Sequence, residues 1–329
     1  MNVEGIGWLL AALPLALLFV VPRWFPRPLL RTPELSQEPL PDNLVAMARQ
    51  LSAREAREPR IIPGAEAVVR FHDTNHPEPT AVSYLYLHGL SACRQETAPV
   101  TETLAAQDRA NAVYARIAGH GMGDQAMSEV DAGAWLESVW AFWRMAAAAG
   151  REVVIVATST GATSATWLVE QPGVQARVRA MLFMAPNFKV RHPLGPILTW
   201  YGVERWLPQI MDPNKRWHST DPRQSRYWST NYGNQALIQM QLLINTVRQS
   251  PVESIRVPLM VQCSPEDPVI DPGAAFEVYQ RWGGSPKRFR WVEVPPGESP
   301  HIFVGDILAP HRNDEVIQTF REFLNSLPD

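Results

Sequence analysis

The run Val153-Val-Ile-Val156 leaves neither face of a β-strand polar. Side chains alternate across a strand, so an unbroken apolar run must be covered on both sides. Around it, residues 152–157 read as a strand, and so do 67–71, 83–88, 112–117, 180–184, 258–263 and 289–294, several of them equally short of polar alternation. Helical patterns lie between them. Residues 131–149 put Trp135, Val139, Phe142, Trp143 and Ala146 on one face, and 162–171 stop at Pro172-Gly173. The last pattern, 314–327, lines up Val316, Ile317, Phe320, Phe323, Leu324 and Leu327. Such alternation predicts an α/β fold with a doubly wound, mostly parallel sheet.

Residues 192–250 break the rhythm. They hold no convincing strand and are rich in Trp, Tyr, Met and Pro, including Trp200, Trp206, Trp217, Tyr227 and Trp228. An inserted helical lid over about residues 190–250 is expected. Insertions at the carboxyl ends of parallel strands lie over the crevice where such sheets bind ligands.

The N-terminus is of another kind. Gly5 to Val21 carries no charge and is dominated by Leu, Ala, Val, Phe and Trp. As a helix it would reach roughly 25 Å, enough for a thin bilayer. The start Met-Asn-Val-Glu lacks the basic residues of a cleaved signal peptide, and Arg23, Arg27 and Arg31 follow the apolar stretch, with Trp24 among them. A single-pass membrane anchor is expected, with the rest of the chain on the cytoplasmic side by the positive-inside rule. Prolines crowd the stretch from Pro22 to Pro63, which reads as a stiff connector containing one short helix near residues 42–51.

Composition removes other classes. The net charge is -3 and there is no long basic run, so no nucleic-acid partner is expected. The two cysteines, Cys93 and Cys263, make no disulfide framework and belong to no zinc-type Cys/His group. No metal or organic cofactor is called for by any motif.

The strongest local signal is Ala157-Thr-Ser159-Thr-Gly161, directly after the buried strand and before a helical pattern. An abrupt strand-to-helix turn lifts its central side chain clear of the sheet, and the residues two before and two after must be small because the elements crowd there. Gly161 meets that demand, and Ala157 exceeds the commoner glycine by one methyl. Ser159 would stand at a helix N-terminus, whose amides favour developing negative charge. A lone serine is a weak nucleophile and needs a base. Around this turn the chain order is nucleophile, acid, then histidine. His301, in the loop after strand 289–294, stands where that base belongs, with His311 as the fallback. The acid should come from the loop after strand 258–263, where Asp267 is preferred and Glu266 and Asp271 compete. Two backbone amides are needed for an oxyanion: one from Thr160, after the nucleophile, and one from Leu90 in the His88-Gly89-Leu90 turn. Losing one such donor typically costs about 3–4 kcal/mol of transition-state stabilisation. His88 reads as structural.

Four stretches together resemble a known family: His88-Gly89-Leu90, Arg116-Ile-Ala-Gly119-His120-Gly121, the Ser159 turn, and Asp267 followed by His301. A fifth, Ala185-Pro-Asn-Phe188, looks like the start of that family's lid. The family is the α/β-hydrolases, within them the esterases, monoacylglycerol lipases and lysophospholipases related to serine aminopeptidases. The resemblance covers about residue 65 to the C-terminus. It implies Ser159, Asp267 and His301 as a catalytic triad with Leu90 and Thr160 as oxyanion donors, and it leaves His120 outside the site. The expected organisation is a membrane-anchor segment at 1–24, a connector at 25–64 and an α/β-hydrolase domain at 65–329. The expected reaction is hydrolysis of carboxylic esters, with a small-molecule or lipid ester as substrate and activity falling as His301 takes up a proton. Two rivals remain. An N-terminal peptidase or amidase would need a lid carboxylate for the substrate ammonium, with Glu204, Asp212 and Asp221 as candidates. A non-catalytic membrane-anchored scaffold would have no need of the full set of Ser, acid and His.

Overall fold

The computed structural model describes residues 28–219 and 221–328. Among them are nine strands: β1 (Val68–Arg70), β2 (Thr80–Leu87), β3 (Asn111–Tyr114), β4 (Gly150–Thr158), β5 (Val178–Met184), β6 (Asn214–Arg216), β7 (Asn231–Gly233), β8 (Leu259–Cys263) and β9 (Lys287–Trp291). Their helices are α1 (Leu44–Ala56), α2 (Ala98–Gln107), α3 (Ala132–Ala149), α4 (Thr160–Val169), α5 (Val203–Ile210), α6 (Pro222–Tyr227), α7 (Asn234–Gln249), α8 (Pro272–Arg281) and α9 (Asn313–Asn325). Seven strands form one sheet in the order β1-β3-β2-β4-β5-β8-β9. Every neighbouring pair is parallel except the edge strand β1, which runs antiparallel to β3. The architecture is therefore α/β with a mixed, mostly parallel sheet. The chain moves outward from β2 to β3, then returns past β2 to lay down β4. Strand order thus reverses between β2 and β4, the switch point where open sheets of this kind bind ligands.

The apolar strands are buried on both sides for the reason their sequence implies. Along β4, Val153, Ile155 and Ala157 join the core on one face while Val154 and Val156 join the core on the other. The first face is covered by apolar side chains of α1, α3, α4, α7 and α8, the second by those of α2 and α9. Helix α3 starts where Asp131 caps it, accepting the Ala134 amide at 2.8 Å. Such caps contribute about 1 kcal/mol each.

The expected membrane anchor is corrected here. Crossing a bilayer takes about 20 apolar residues in one helix. Among the described residues no helix is long and apolar enough. The longest, α3, has 18 residues but carries Glu137 and Arg144 and packs one face on the sheet. The segment on which the anchor was expected, residues 1–24, lies outside the described residues. The single-pass topology, the membrane partner and the cytoplasmic placement inferred from that anchor therefore do not stand. Part of the stretch read as a connector, from residue 28 on, packs on the domain. Leu30, Leu35 and Leu40 pack on the core, Trp140 Nε1 donates to the Ser36 carbonyl at 2.9 Å, and Arg31 pairs with Glu137 at 2.6 Å. Helix α1 buries Leu44, Met47 and Leu51 in that same core, each such burial contributing about 1.5–3 kcal/mol.

The stretch between β5 and β8 joins short pieces to one long helix, α7. Helices α5, α6 and α7 surround a small antiparallel ribbon, β6 with β7. No strand was expected there, because Asn214-Lys-Arg216 and Asn231-Tyr-Gly233 are three residues each and bury only Tyr232. Three-residue strands with one buried side chain carry no periodicity to read. Val203 and Leu207 of α5 pack on Ile238 and Leu242 of α7. Leu194, Trp200, Ile210 and Met211 stay exposed.

Candidate active site

Ser159 sits between β4 and α4 with φ 51° and ψ -120°, backbone angles a non-glycine residue rarely adopts. Three hydrogen bonds hold it there. Its amide donates to the Met184 carbonyl at 2.9 Å, and its own carbonyl accepts the amides of Ala162 at 3.0 Å and Asn187 at 3.1 Å. The crowding anticipated around this turn is real. A Cβ on Gly161 would lie 2.3 Å from the Leu87 carbonyl oxygen, so no larger residue fits. Ala157 is fully buried, yet its one methyl is accommodated. Ser159 itself is 5% exposed, at the switch point beside the end of β2.

The structure brings together the three side chains expected to act as a unit. His301 Nε2 lies 3.1 Å from Ser159 Oγ, and His301 Nδ1 lies 2.7 Å from Asp267 Oδ2. A carboxylate only accepts, so the Nδ1 position carries the proton and Nε2 presents its lone pair to the serine hydroxyl. Asp267 is wholly buried, and its other oxygen accepts the Val269 and Ile270 amides at 2.7 and 3.0 Å. Arg191 Nη1 donates to the Asp267 carbonyl at 2.6 Å and steadies the turn. The competing groups have other surroundings. Glu266 is exposed. Asp271 caps α8 through the Gly273 amide at 3.0 Å and pairs with Lys189 at 2.7 Å, which holds its carboxyl below the ordinary range. His311 is exposed and faces Glu298 at 3.2 Å.

The two residues expected as oxyanion donors lie on either side of the nucleophile's turn. Thr160 follows Ser159 at the start of α4, and Leu90 follows the turn at the end of β2. Among the described residues neither amide has a hydrogen-bond acceptor. His88 explains the aim of Leu90. Its Nε2 accepts the Ile117 amide at 3.1 Å, so its Nδ1 carries the hydrogen and donates to the Gly89 carbonyl at 2.9 Å. A trans peptide points its N–H opposite to its C=O, so the Leu90 amide is turned away from His88. Burial pushes His88 down to about 3, with His120 nearby adding to the effect, and the ring stays neutral in this role. His120 has its Nδ1 3.0 Å from the Ala118 carbonyl and its ring edge-on to Trp135. Arg116 of the same motif forms a two-pronged pair with the buried Glu55 at 2.6 and 2.9 Å.

Several residues around the site carried no signal in the sequence. Arg191 reads as an ordinary lid charge. Asn187 stands 2% exposed beneath α7, with its amide nitrogen 3.2 Å from Thr160 Oγ1. Glu96 lies in the polar run Arg94-Gln95-Glu96-Thr97, which looks like solvated surface, yet it is buried behind Gly89. The lid supplies Trp217, Tyr232, Ala236 and Leu237, which pack with Met127 and Leu90 beside the oxyanion turn. The three lid carboxylates are held locally. Glu204 accepts from Gln235 Nε2 at 3.2 Å, Asp212 faces Arg216 at 3.5 Å, and Asp221 caps α6 and pairs with Arg223 at 3.1 Å.

Comparisons with known proteins bear on the family and the fold. The model of the family described as serine aminopeptidase, S33, matches residues 78–294. Among solved structures, one belonging to LipS and LipT, two metagenome-derived lipolytic enzymes, is similar with a TM-score of 0.64 and 16% identity, over 80% of this chain and 99% of that one. A soluble variant of monoglyceride lipase from Saccharomyces cerevisiae gives 0.59 at 11% identity, over 80% and 92% of the two chains. The monoacylglycerol lipase of Paleococcus ferrophilus gives 0.58 at 13%, over 79% and 98%. At such identities the likeness is one of fold. No curated protein sequence matches the chain.

Proposed function

Because the chain belongs to the α/β-hydrolase family described as serine aminopeptidase, S33, and is a serine hydrolase of the esterase and lipase type, we propose that it cleaves carboxylic esters of apolar, lipid-derived acyl groups. Ser159 Oγ attacks the ester carbonyl while His301 Nε2 takes its proton, and Asp267 steadies the imidazolium that forms. The amides of Leu90 and Thr160 receive the oxyanion. As the intermediate collapses, the C–O bond to the alcohol breaks and His301 returns the proton to the leaving oxygen. Water, activated by the same histidine, then releases the acid from Ser159. What carries this assignment is the unbroken hydrogen-bonded chain from Asp267 through His301 to Ser159, at 2.7 and 3.1 Å.

An ester with an apolar acyl group is favoured over a peptide N-terminus by the lid. A substrate ammonium would need an uncommitted carboxylate, whereas Glu204, Asp212 and Asp221 each serve a neighbour within the lid. The side chains beside Leu90 are instead aromatic and aliphatic. The test is a rate series over 4-nitrophenyl esters of increasing chain length beside an aminoacyl arylamide series, with native protein and Ser159→Ala. Rates that rise with chain length, negligible arylamide turnover and a silent alanine variant are expected. Faster arylamide than ester cleavage would reverse the substrate assignment, and an active Ser159→Ala would remove the nucleophile.

A further inference from the structure

One ionisable side chain beside the nucleophile has no task in the acyl-transfer scheme. Glu96 is 2% exposed, and among the described residues no lysine or arginine pairs with it. A buried carboxylate without a cationic partner is costly, so its place calls for a return. Its Oε2 accepts the Gly89 amide at 2.8 Å and the Tyr86 hydroxyl at 3.1 Å. Thr97 donates to that tyrosine oxygen at 2.9 Å and lies 3.2 Å from the hydroxyl of Thr158, the residue before the nucleophile. Gly89 has no room for a side chain here, since a Cβ would fall 2.8 Å from Glu96 Oε1 and 3.1 Å from Ser159 Cβ. The loop that carries His301 closes on the other side. A Cβ on its Gly305 would lie 2.2 Å from the Glu96 carbonyl oxygen.

We propose that Glu96 is a positioning residue for the oxyanion site, holding the Gly89 amide so that the next amide, that of Leu90, faces the carbonyl under attack by Ser159. This rests on the acyl-transfer reading above. Peptide units are planar, so each is oriented once one of its polar ends is fixed on both sides of an α-carbon. Glu96 fixes the unit that ends in the Gly89 N–H, and His88 fixes the unit that begins with the Gly89 C=O. Between them the two clamps leave the Leu90 N–H one direction, away from His88. Oxyanion donors act only when aimed before the reaction begins, which is the value of such a clamp. Burial pushes the Glu96 carboxyl up to about 7, against the pull of the Gly89 amide, the nearby His301 and the Tyr86 hydroxyl. Neutral or ionised, it retains an oxygen that accepts the Gly89 amide. Reach rather than charge is what the role requires.

Two variants separate those properties. Glu96→Gln keeps the reach and loses the charge, while Glu96→Asp keeps the charge and withdraws the acceptor by one methylene. With 4-nitrophenyl butyrate, Glu96→Asp is expected to lose roughly 10- to 100-fold in kcat with KM within about twofold of native. Glu96→Gln should stay within about threefold of native in kcat. Should Glu96→Asp fold poorly, Glu96→Met, equal in length and without an acceptor, replaces it with the same expected loss. Native kcat in the shortened or acceptor-free variant, beside an inactive Ser159→Ala, would overturn the role of Glu96 alone. Equal losses in Glu96→Gln and Glu96→Asp, or a KM that rises as kcat falls, would also overturn it. An active Ser159→Ala would instead fell the acyl-transfer reading, and the positioning role with it.

Discussion

The floor and the roof of the candidate site are made by different means. The floor is the carboxyl edge of the sheet, where Ser159, Asp267 and the Leu90 turn each leave a strand end and are tied by backbone hydrogen bonds at once. The roof, between β5 and β8, is two short helices, the 16-residue α7 and a ribbon of three-residue strands. It leaves Trp200, Ile210 and Met211 exposed and meets the floor through apolar packing at Leu90. Fixed geometry suits steps in which a proton moves between atoms about 3 Å apart, because small misplacement is costly. Apolar surface is forgiving of shape and scales with the area it covers, which suits grading substrates by size. The floor should therefore govern kcat and the roof KM.

Substitutions in the two regions can break that division. The largest effect is expected from Asp267→Asn. An amide nitrogen facing His301 would move the ring proton to Nε2 and leave Ser159 Oγ without an acceptor, for a loss of about 10⁴ in kcat. A loss under about tenfold would mean the tautomer is not set from Asp267. Lid substitutions should do less, and differently. Leu237→Ala or Trp217→Ala should raise KM for an octanoyl ester about three- to tenfold with kcat little changed. Neutralising Glu204, Asp212 or Asp221 should leave both constants within about twofold. A lid change that lowers kcat as far as Asp267→Asn would erase the distinction.

The same contrast decides what was legible in the sequence. Strand β4 and its turn announce themselves, because double burial demands unbroken apolar residues and crowding demands a glycine at 161. His301 was expected from its place after the last strand of the sheet, and its ring lies between Asp267 and Ser159. Asp267 was preferred as the acid from its place at the turn before Val269-Ile270, with Glu266 and Asp271 still competing. The structure adds a turn in which one Asp267 oxygen takes two amides and the other faces the imidazole, a geometry that no spacing in the sequence displays. Strand β9 was expected at 289–294 and lies at Lys287–Trp291, because an edge strand is half-exposed and its charged residues hide the pattern. Glu96 and the β6–β7 ribbon left no trace at all. A buried carboxylate is identified by its partners, here the Gly89 amide and the Tyr86 hydroxyl, and only the fold brings those to it.

The central claim is that His301 makes Ser159 a nucleophile. It is tested most directly by a fluorophosphonate probe, with intact mass and peptide mapping of native protein and His301→Ala. A single adduct on Ser159 is expected, forming roughly 10²–10⁴-fold more slowly without the histidine. An adduct elsewhere, or Ser159 labelled at the native rate when His301 is gone, would contradict it.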